Sequence, residues 1–489
     1  MGIELQYLLP IIAISFFVVT AIVFDALLQN KIFSFIWSIV GLIVVIGTAS
    51  YTFVIPSLEL MNLPKEALIT KNMVFFGGYA SFFDIVFAGA GLMTILASRV
   101  YIQREYKELN EYYSLILIAV SGMMLIGHSN NLLVLFIGIE IMSVTFYVLA
   151  GYFRNSIKSI EASLKYFLLG AFATGFLVYG IALLYGATGS LDLNIITSNL
   201  IAGKFNHVYF LLGAGLILIG LSFKVAAFPF HQWAPDVYQG SPTVASGFMS
   251  SAGKAAAMIA FIIVFKHILP AVNNPVLIND THLIQNIIAV LAACTMLLGN
   301  FTALAQTNAK RMLAYSSVAH AGYLLIGIAS NNSTGWTGVL FYSVAYILMQ
   351  LGAFIVLSVI ERNEQSNLEL SDFAGLSRSH PILAALMAVF MLSLAGIPPF
   401  AGFFGKYYLF VSAVKADYVW LTIVAVISSI ISMYYYIGLI LQMYFKDPRS
   451  VALEADYGLA KIPLFIAIAG LVIFGVFPSI LADVAYYFF

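Results

Sequence analysis

Apolar residues in this chain come in long continuous runs rather than in alternation with polar ones. The runs fall at 6–27, 33–53, 80–100, 113–128, 130–152, 161–186, 207–232, 242–268, 284–306, 312–330, 336–360, 382–412, 418–444 and 461–485. A helix needs about 20 apolar residues to cross a bilayer, whereas a membrane barrel strand alternates over about 10. The pattern predicts an all-α integral membrane protein with about 14 transmembrane helices. The stretch from 113 to 152 is too long for one crossing, and the polar turn His128-Ser129-Asn130-Asn131 splits it.

Two segments carry a break. Segment 7 contains Lys224-Val225-Ala226-Ala227-Phe228-Pro229-Phe230-His231, and segment 12 contains Leu394-Ala395-Gly396-Ile397-Pro398-Pro399-Phe400-Ala401-Gly402. Proline removes a backbone donor and clashes with the preceding turn, and in lipid the freed carbonyls need protein or water as partners. The breaks are expected to line a hydrated cavity. They lie five segments apart, so they belong to oppositely oriented helices. That arrangement predicts two inverted five-helix repeats with broken helices 7 and 12. The expected organisation is residues 1–110 as helices 1–3, 111–270 as the first repeat, 271–445 as the inverted second repeat and 446–489 as helix 14.

Charge is sparse. Of 489 residues, 62% are hydrophobic and 9% charged, against about 25% charged in a soluble domain. Net charge is zero, which gives no sign of nucleic acid or a polybasic lipid tail. With the N-terminus outside, thirteen Lys and Arg fall in inner loops, Lys310 and Arg311 among them. Five fall in outer loops (Lys65, Lys71, Lys204, Lys266 and Lys415). Basic loops stay on the inner side, so both termini are expected outside. Met1 to Leu9 lacks the basic start of a signal peptide, and the first helix is read as retained. The single cysteine, Cys294, neither closes an internal disulfide nor holds an iron–sulfur cluster. It is read as a small buried apolar residue.

Four of the 22 basic residues remain: Lys165, Lys224, Lys254 and Lys406. All fall inside apolar segments, as does Glu140 in segment 5. A charge at bilayer depth costs on the order of 3 kcal/mol. One mid-membrane carboxylate cannot pair three deep lysines, so helix-gluing ion pairs do not explain Lys224, Lys254 and Lys406. Lysine suits a proton relay, because burial and a nearby carboxylate shift its proton affinity over several decades. Gain or loss of Glu140 would drive Lys224 to take up or release a proton, with Lys254 and then Lys406 passing it outward. For Lys165, one turn after Glu161, a snorkelling surface pair and a relay role both stay open. The same holds for His231, which either shuttles protons or caps broken-helix carbonyls. His320, mid-segment 10, is a candidate for the second half-channel. Asp84 and Asp236 lie near segment ends and are read as structural. No metal motif, nucleotide loop or haem-spaced histidine pair is present.

The run Phe228-Pro229-Phe230-His231-Gln232-Trp233-Ala234-Pro235-Asp236-Val237-Tyr238-Gln239-Gly240-Ser241-Pro242-Thr243 resembles the helix 7–8 signature of the antiporter-like subunits of respiratory complex I. Its Pro-Asp-Val-Tyr form looks like the subunit N branch, and Leu394 to Lys406 is similar to that branch's broken helix 12. The resemblance spans essentially the whole chain. It implies a non-redox membrane-arm subunit of a proton-translocating NADH:quinone oxidoreductase in a bacterial plasma membrane. The family's relay positions match Glu140, Lys224, Lys254 and Lys406, and its helix 6 lysine and helix 7 histidine map to Lys165 and His231. A lysine at position 406 argues against subunit M, and about fourteen helices argue against subunit L. The resemblance also implies that FMN, iron–sulfur clusters and quinone lie in partner subunits, with subunits M and K as neighbours. The rivals are a subunit of a multisubunit cation/proton antiporter, which shares the fold, and a passive membrane scaffold.

Overall fold

The computed structural model describes residues 6–28, 30–54, 73–75, 77–105, 111–270, 275–362, 368–448 and 457–486. Four of the loop cations used for orientation, Lys65, Lys71, Lys107 and Arg449, lie outside the described residues. The helices are α1 (Leu9–Leu28), α2 (Lys31–Val54), α3 (Gly78–Glu105), α4 (Glu111–His128), α5 (Leu132–Ala150), α6 (Ile157–Thr188) and α7, split into α7a (His207–Lys224) and α7b (Trp233–Gly240). They continue as α8 (Thr243–Ile268), α9 (Pro275–Leu304), α10 (Ala309–Ser330), α11 (Ser333–Ile360), α12a (Pro381–Ala395), α12b (Ala401–Lys415), α13 (Val419–Phe445) and α14 (Lys461–Val476). Among the described residues 13 helices are long and apolar enough to cross a membrane. The broken α12, in two 15-residue halves, makes the fourteenth.

Local chemistry sets the ends. Asn131, Asn206, Asn308 and Asn332 stand before α5, α7a, α10 and α11, and each side chain accepts a backbone N–H of the first turn. Such caps satisfy donors that a helix start leaves unpaired. The split of the long 113–152 run falls where the polar turn placed it. α8 contains a π-helical turn, Met249–Gly253, immediately before Lys254.

The packing repeats. α4 pairs with α5 as α9 pairs with α10, while α6 packs on both halves of α7 as α11 packs on both halves of α12. Paired glycines permit the first contact. A Cβ on Gly122 would lie 2.7 Å from the Met142 nitrogen, and one on Gly322 would lie 2.7 Å from the Met296 nitrogen. One backbone link recurs as well. Leu132 N donates to Leu191 O and Leu193 N to Asn130 O, both 3.0 Å. Ala309 N donates to Leu368 O at 2.8 Å and Leu370 N to Thr307 O at 2.7 Å. The first link sits at the start of α5 and the second at the start of α10. These helices point in opposite directions, as an inverted repeat requires.

α1 to α3 pack on one another and on α4, and α3 also reaches α8, α11 and α14. Two carboxylates there find partners: His128 Nε2 meets Asp84 Oδ2 at 2.9 Å with both side chains fully buried, and Asp25 accepts from Ser34 and Ser114. α8 lies at the centre with every residue of its membrane window buried. Cys294 departs from expectation. It is partly exposed, because α9 presents about half its surface outward.

Candidate functional site

Lys224 is the last residue of α7a. There the chain leaves the helix through Ala226, whose φ of +58° costs a non-glycine residue about 1–2 kcal/mol. The Lys224 ammonium donates to Ser143 Oγ at 2.8 Å and lies 3.6 Å from Glu140 Oε1. Glu140 and Ser143 are one turn apart on α5, so both reach the same point. Ser143 donates its own proton to the Ile139 carbonyl at 2.6 Å, which leaves an oxygen lone pair for the lysine. Thr174 of α6 donates to the Glu140 carboxylate at 2.8 Å. The lysine side chain is 3% exposed and the glutamate 27%, so the pair opens sideways through the carboxylate.

One turn past Ser143, the Phe146 ring presses on Gly253, where an added Cβ would meet it at 2.4 Å. Lys254 follows directly. Its ammonium donates to the carbonyl of Ser317 and to Ser317 Oγ, the latter at 3.0 Å. One turn up α10, His320 Nδ1 is 2.6 Å from Tyr342 Oη and its Nε2 is 3.0 Å from Tyr436 Oη. A neutral imidazole donates from one nitrogen and accepts at the other, so the two phenols take opposite roles. Tyr436 also bonds Ser316 Oγ. His320 lies one turn from Ser317, which holds Lys254, and one turn from Tyr323, whose ring lies beside Lys406.

Lys406 reaches back from α12b to the end of α12a. Its ammonium donates to the Ala395 carbonyl at 3.0 Å and Ser429 Oγ at 2.9 Å, and it lies 4.8 Å from the centre of the Tyr323 ring. Helix C-termini carry partial negative charge. Both broken helices therefore place an ammonium at a helix C-terminus, Lys224 on α7a and Lys406 on α12a. Gly396 makes the second arrangement possible. It takes φ +85°, and a Cβ there would stand 3.0 Å from Lys406 Cδ.

Residues 129–432 match the family model described as NADH:quinone oxidoreductase/Mrp antiporter, TM. The chain belongs to this family. It is 43% identical over 476 residues, 97% of this chain and 96% of the relative, to NADH-quinone oxidoreductase subunit N 1 of Chloroherpeton thalassium. It is 45% identical to NADH-quinone oxidoreductase subunit N of Trichlorobacter lovleyi over 85% of this chain and 84% of that one. Among solved structures, respiratory complex I from Thermus thermophilus with bound aureothin contains a chain that is 32% identical, with TM-score 0.79, covering 98% of this chain and 99% of that one. The Mrp complex from Dietzia contains a chain with TM-score 0.83 over 99% of this chain and 96% of that one, at 20% identity. That likeness extends to the fold alone.

Within this NADH:quinone oxidoreductase/Mrp antiporter fold, the remaining candidates separate. Lys165 is 41% exposed and bridges Glu161 at 2.6 Å and Asp236 at 2.9 Å, while Arg311 reaches Asp236 at 2.8 Å. It belongs to a half-exposed ion cluster, which is the geometry of the surface pair, one of the two readings its sequence left open. His231 stacks beside Phe228 with centroids 6.0 Å apart, and among the described residues its Nδ1 has no hydrogen-bond partner. Lys310 needs correction. It was expected in an inner loop but lies fully buried in the first turn of α10. Ser143, Ser317, Ser429, Tyr342 and Tyr436 went unidentified from sequence. Serine and tyrosine are frequent in this chain, and only the meeting of helix faces singles these out.

Proposed function

We propose that this chain is the subunit N-type antiporter-like subunit of a proton-pumping NADH:quinone oxidoreductase, and that protons move along Glu140, Lys224, Lys254, His320 and Lys406. The observation that carries this reading is how the lysines are held. Lys254 and Lys406 are buried at 1% and 4% exposure with no carboxylate partner among the described residues, and their ammonium groups end on serine hydroxyls and carbonyls. A scaffold gains nothing from unpaired charge at that depth. A relay needs groups that hold a proton and give it up.

The mechanism follows from the 3.6 Å pair. With Glu140 in place, the Lys224 ammonium is stabilised. Moving the carboxylate away removes that stabilisation, and the proton leaves along the Ser143 hydroxyl toward Lys254. Lys254 passes it by way of Ser317 and the Tyr436–His320–Tyr342 bridge to Lys406. Quinone reduction elsewhere in the complex supplies the drive. FMN, iron–sulfur clusters and quinone belong to partner subunits in this reading, with subunits M and K on its two flanks. The chain sits in a bacterial plasma membrane with both termini on the outer side. That orientation rests on the basic residues: Arg104, Lys158, Arg311 and Arg362 all lie at helix ends expected inside.

Lys254→Ala in the assembled complex tests the proposal. NADH-driven proton uptake into inverted vesicles is expected to fall by at least about tenfold, the scale of a lost proton-transfer group. Pumping at the wild-type rate with normal assembly would support the scaffold instead. Purification without redox subunits would favour a cation/proton antiporter.

A further inference from the structure

Lys310 is the buried cation that this relay leaves unused. Its ammonium donates to the Ser241 carbonyl at 2.5 Å, its one hydrogen-bond acceptor among the described residues. That carbonyl sits at the corner between α7b and α8. From the other side it is approached by Ser246 Oγ at 3.4 Å, which also reaches the carbonyls of Tyr238 at 2.7 Å and Pro242 at 3.1 Å. From Ser246 a line of buried hydroxyls climbs α8 through Ser250 and Ser251 to Lys254. The π-helical turn Met249–Gly253 lies inside this line, and such turns concentrate at functional sites. On α10, Ser317, the group that holds Lys254, is seven residues past Lys310. That is about 10 Å along the helix and nearly the same face. Two neighbouring helices thus present polar groups along one strip, while α8 from Ala255 to Phe265 is alanine, methionine and large apolar side chains.

The strip begins near a cavity. A cavity of about 150 Å³ lined by Lys158, Glu161, Ala162, Asp236, Gln239 and Gly240 opens next to the Ser241 corner. That is room for several water molecules. Glu361 is buried just past the end of α11. Arg104 fixes that end of α11 by donating to the carbonyls of Ser358 and Glu361, both at 2.8 Å.

We propose that Lys310 is the intake group, taking protons from the inner aqueous side and passing them along the α8 hydroxyls to Lys254. The inference rests on the relay reading of Lys254 given above. In the transfer, a Lys310 N–H bond breaks and its proton passes through a water molecule drawn from the cavity to the Ser246 hydroxyl, whose own proton moves on; the Ser241 carbonyl holds the ammonium in place and carries no proton itself. The resulting amine then takes a proton from water in the cavity, so each cycle moves one proton and leaves the groups unchanged.

The test uses the whole complex in inverted vesicles. Assembly is read from native gels and pumping from NADH-driven acidification, for Lys310→Met, Lys310→Arg, Ser246→Ala and Lys254→Ala. Arginine keeps the charge and the hydrogen bond to Ser241 but does not release its proton. Both Lys310 variants are expected to lose at least tenfold in pumping rate, and Ser246→Ala several-fold. Wild-type pumping by Lys310→Arg would make Lys310 a mere fastening for the corner and overturn the proposal. If Lys310→Met does not assemble, the arginine and Ser246 variants decide, and full pumping by either one refutes the path. Normal pumping by Lys254→Ala would instead remove the relay reading beneath it.

Discussion

Replacing Glu140 tests the relay at its best-defined contact. Two unit charges 3.6 Å apart attract by about 4–5 kcal/mol at an effective dielectric near 20. With the glutamate partly exposed this is an upper figure, and it corresponds to roughly three decades in the proton affinity of Lys224. Glu140→Gln keeps the shape and an acceptor for Thr174 but removes the charge. Glu140→Asp retracts the carboxylate to about 5 Å, where the attraction is about 3 kcal/mol and roughly one decade is lost. Proton pumping by the assembled complex in inverted vesicles, measured beside NADH oxidation, is expected to follow the order Glu, Asp, Gln. The glutamine variant should fall at least tenfold and the aspartate variant in between. A glutamine variant that pumps like wild type would show that the pair fastens α5 to α7a and carries no protons. An aspartate variant as inactive as glutamine would also refute the electrostatic argument, because distance would then not set the effect.

Two further outcomes follow from the geometry. Gly396→Ala forces a side chain into φ +85° and sets a methyl 3.0 Å from Lys406 Cδ. It is expected to cost about 1–2 kcal/mol in backbone strain alone and to lower pumping together with Tm. Unchanged values for both would mean that the α12 break does not hold Lys406. Asp236→Asn removes the centre of the surface ion cluster. Burial works against the Asp236 charge, but Arg311 and Lys165 beside it outweigh that and hold its carboxyl below the usual carboxylate range. A depressed carboxyl stabilises the fold above its unfolded value, and that contribution is lost as pH falls through the folded value. The stability gap between wild type and variant, followed by Tm, is expected to be small at pH 7, at most about 1 kcal/mol after solvent screening. It should close below pH 4. A gap that widened on acidification would refute the assignment.

Run length and polarity made the fold legible: fourteen crossings, the split at His128, and both breaks. The lysines of the relay stood out because charge within an apolar run is costly wherever the run folds. Lys165 was half readable: Glu161 one turn earlier offered a surface partner, but a relay role stayed open because Asp236 and Arg311 reach that place only through the fold. Lys310 was not. It follows Gln306-Thr307-Asn308 and precedes Arg311, so its neighbourhood reads as a polar loop. Its burial depends on the α7b–α8 corner closing over it, a contact between parts of the chain about 70 residues apart. The serine and tyrosine partners were hidden for a related reason. A hydroxyl becomes a proton path only when another helix brings a donor to it. The π-helical turn in α8 has no residue signature at all. Cys294 was misread because apolar character marks a residue for lipid as readily as for a core.

The central position of α8 has a consequence for the bilayer. Every residue of its window is covered by protein, whereas only 17% of the α1 window and 33% of the α6, α13 and α14 windows are. Lipid tails of different length therefore press on the rim and never touch the helix that carries Lys254. Mismatch in thickness is relieved by tilting at the periphery, at fractions of a kcal/mol per Å. Reconstitution into shorter or longer phosphatidylcholines is thus a load on the outer ring, against which the middle is shielded.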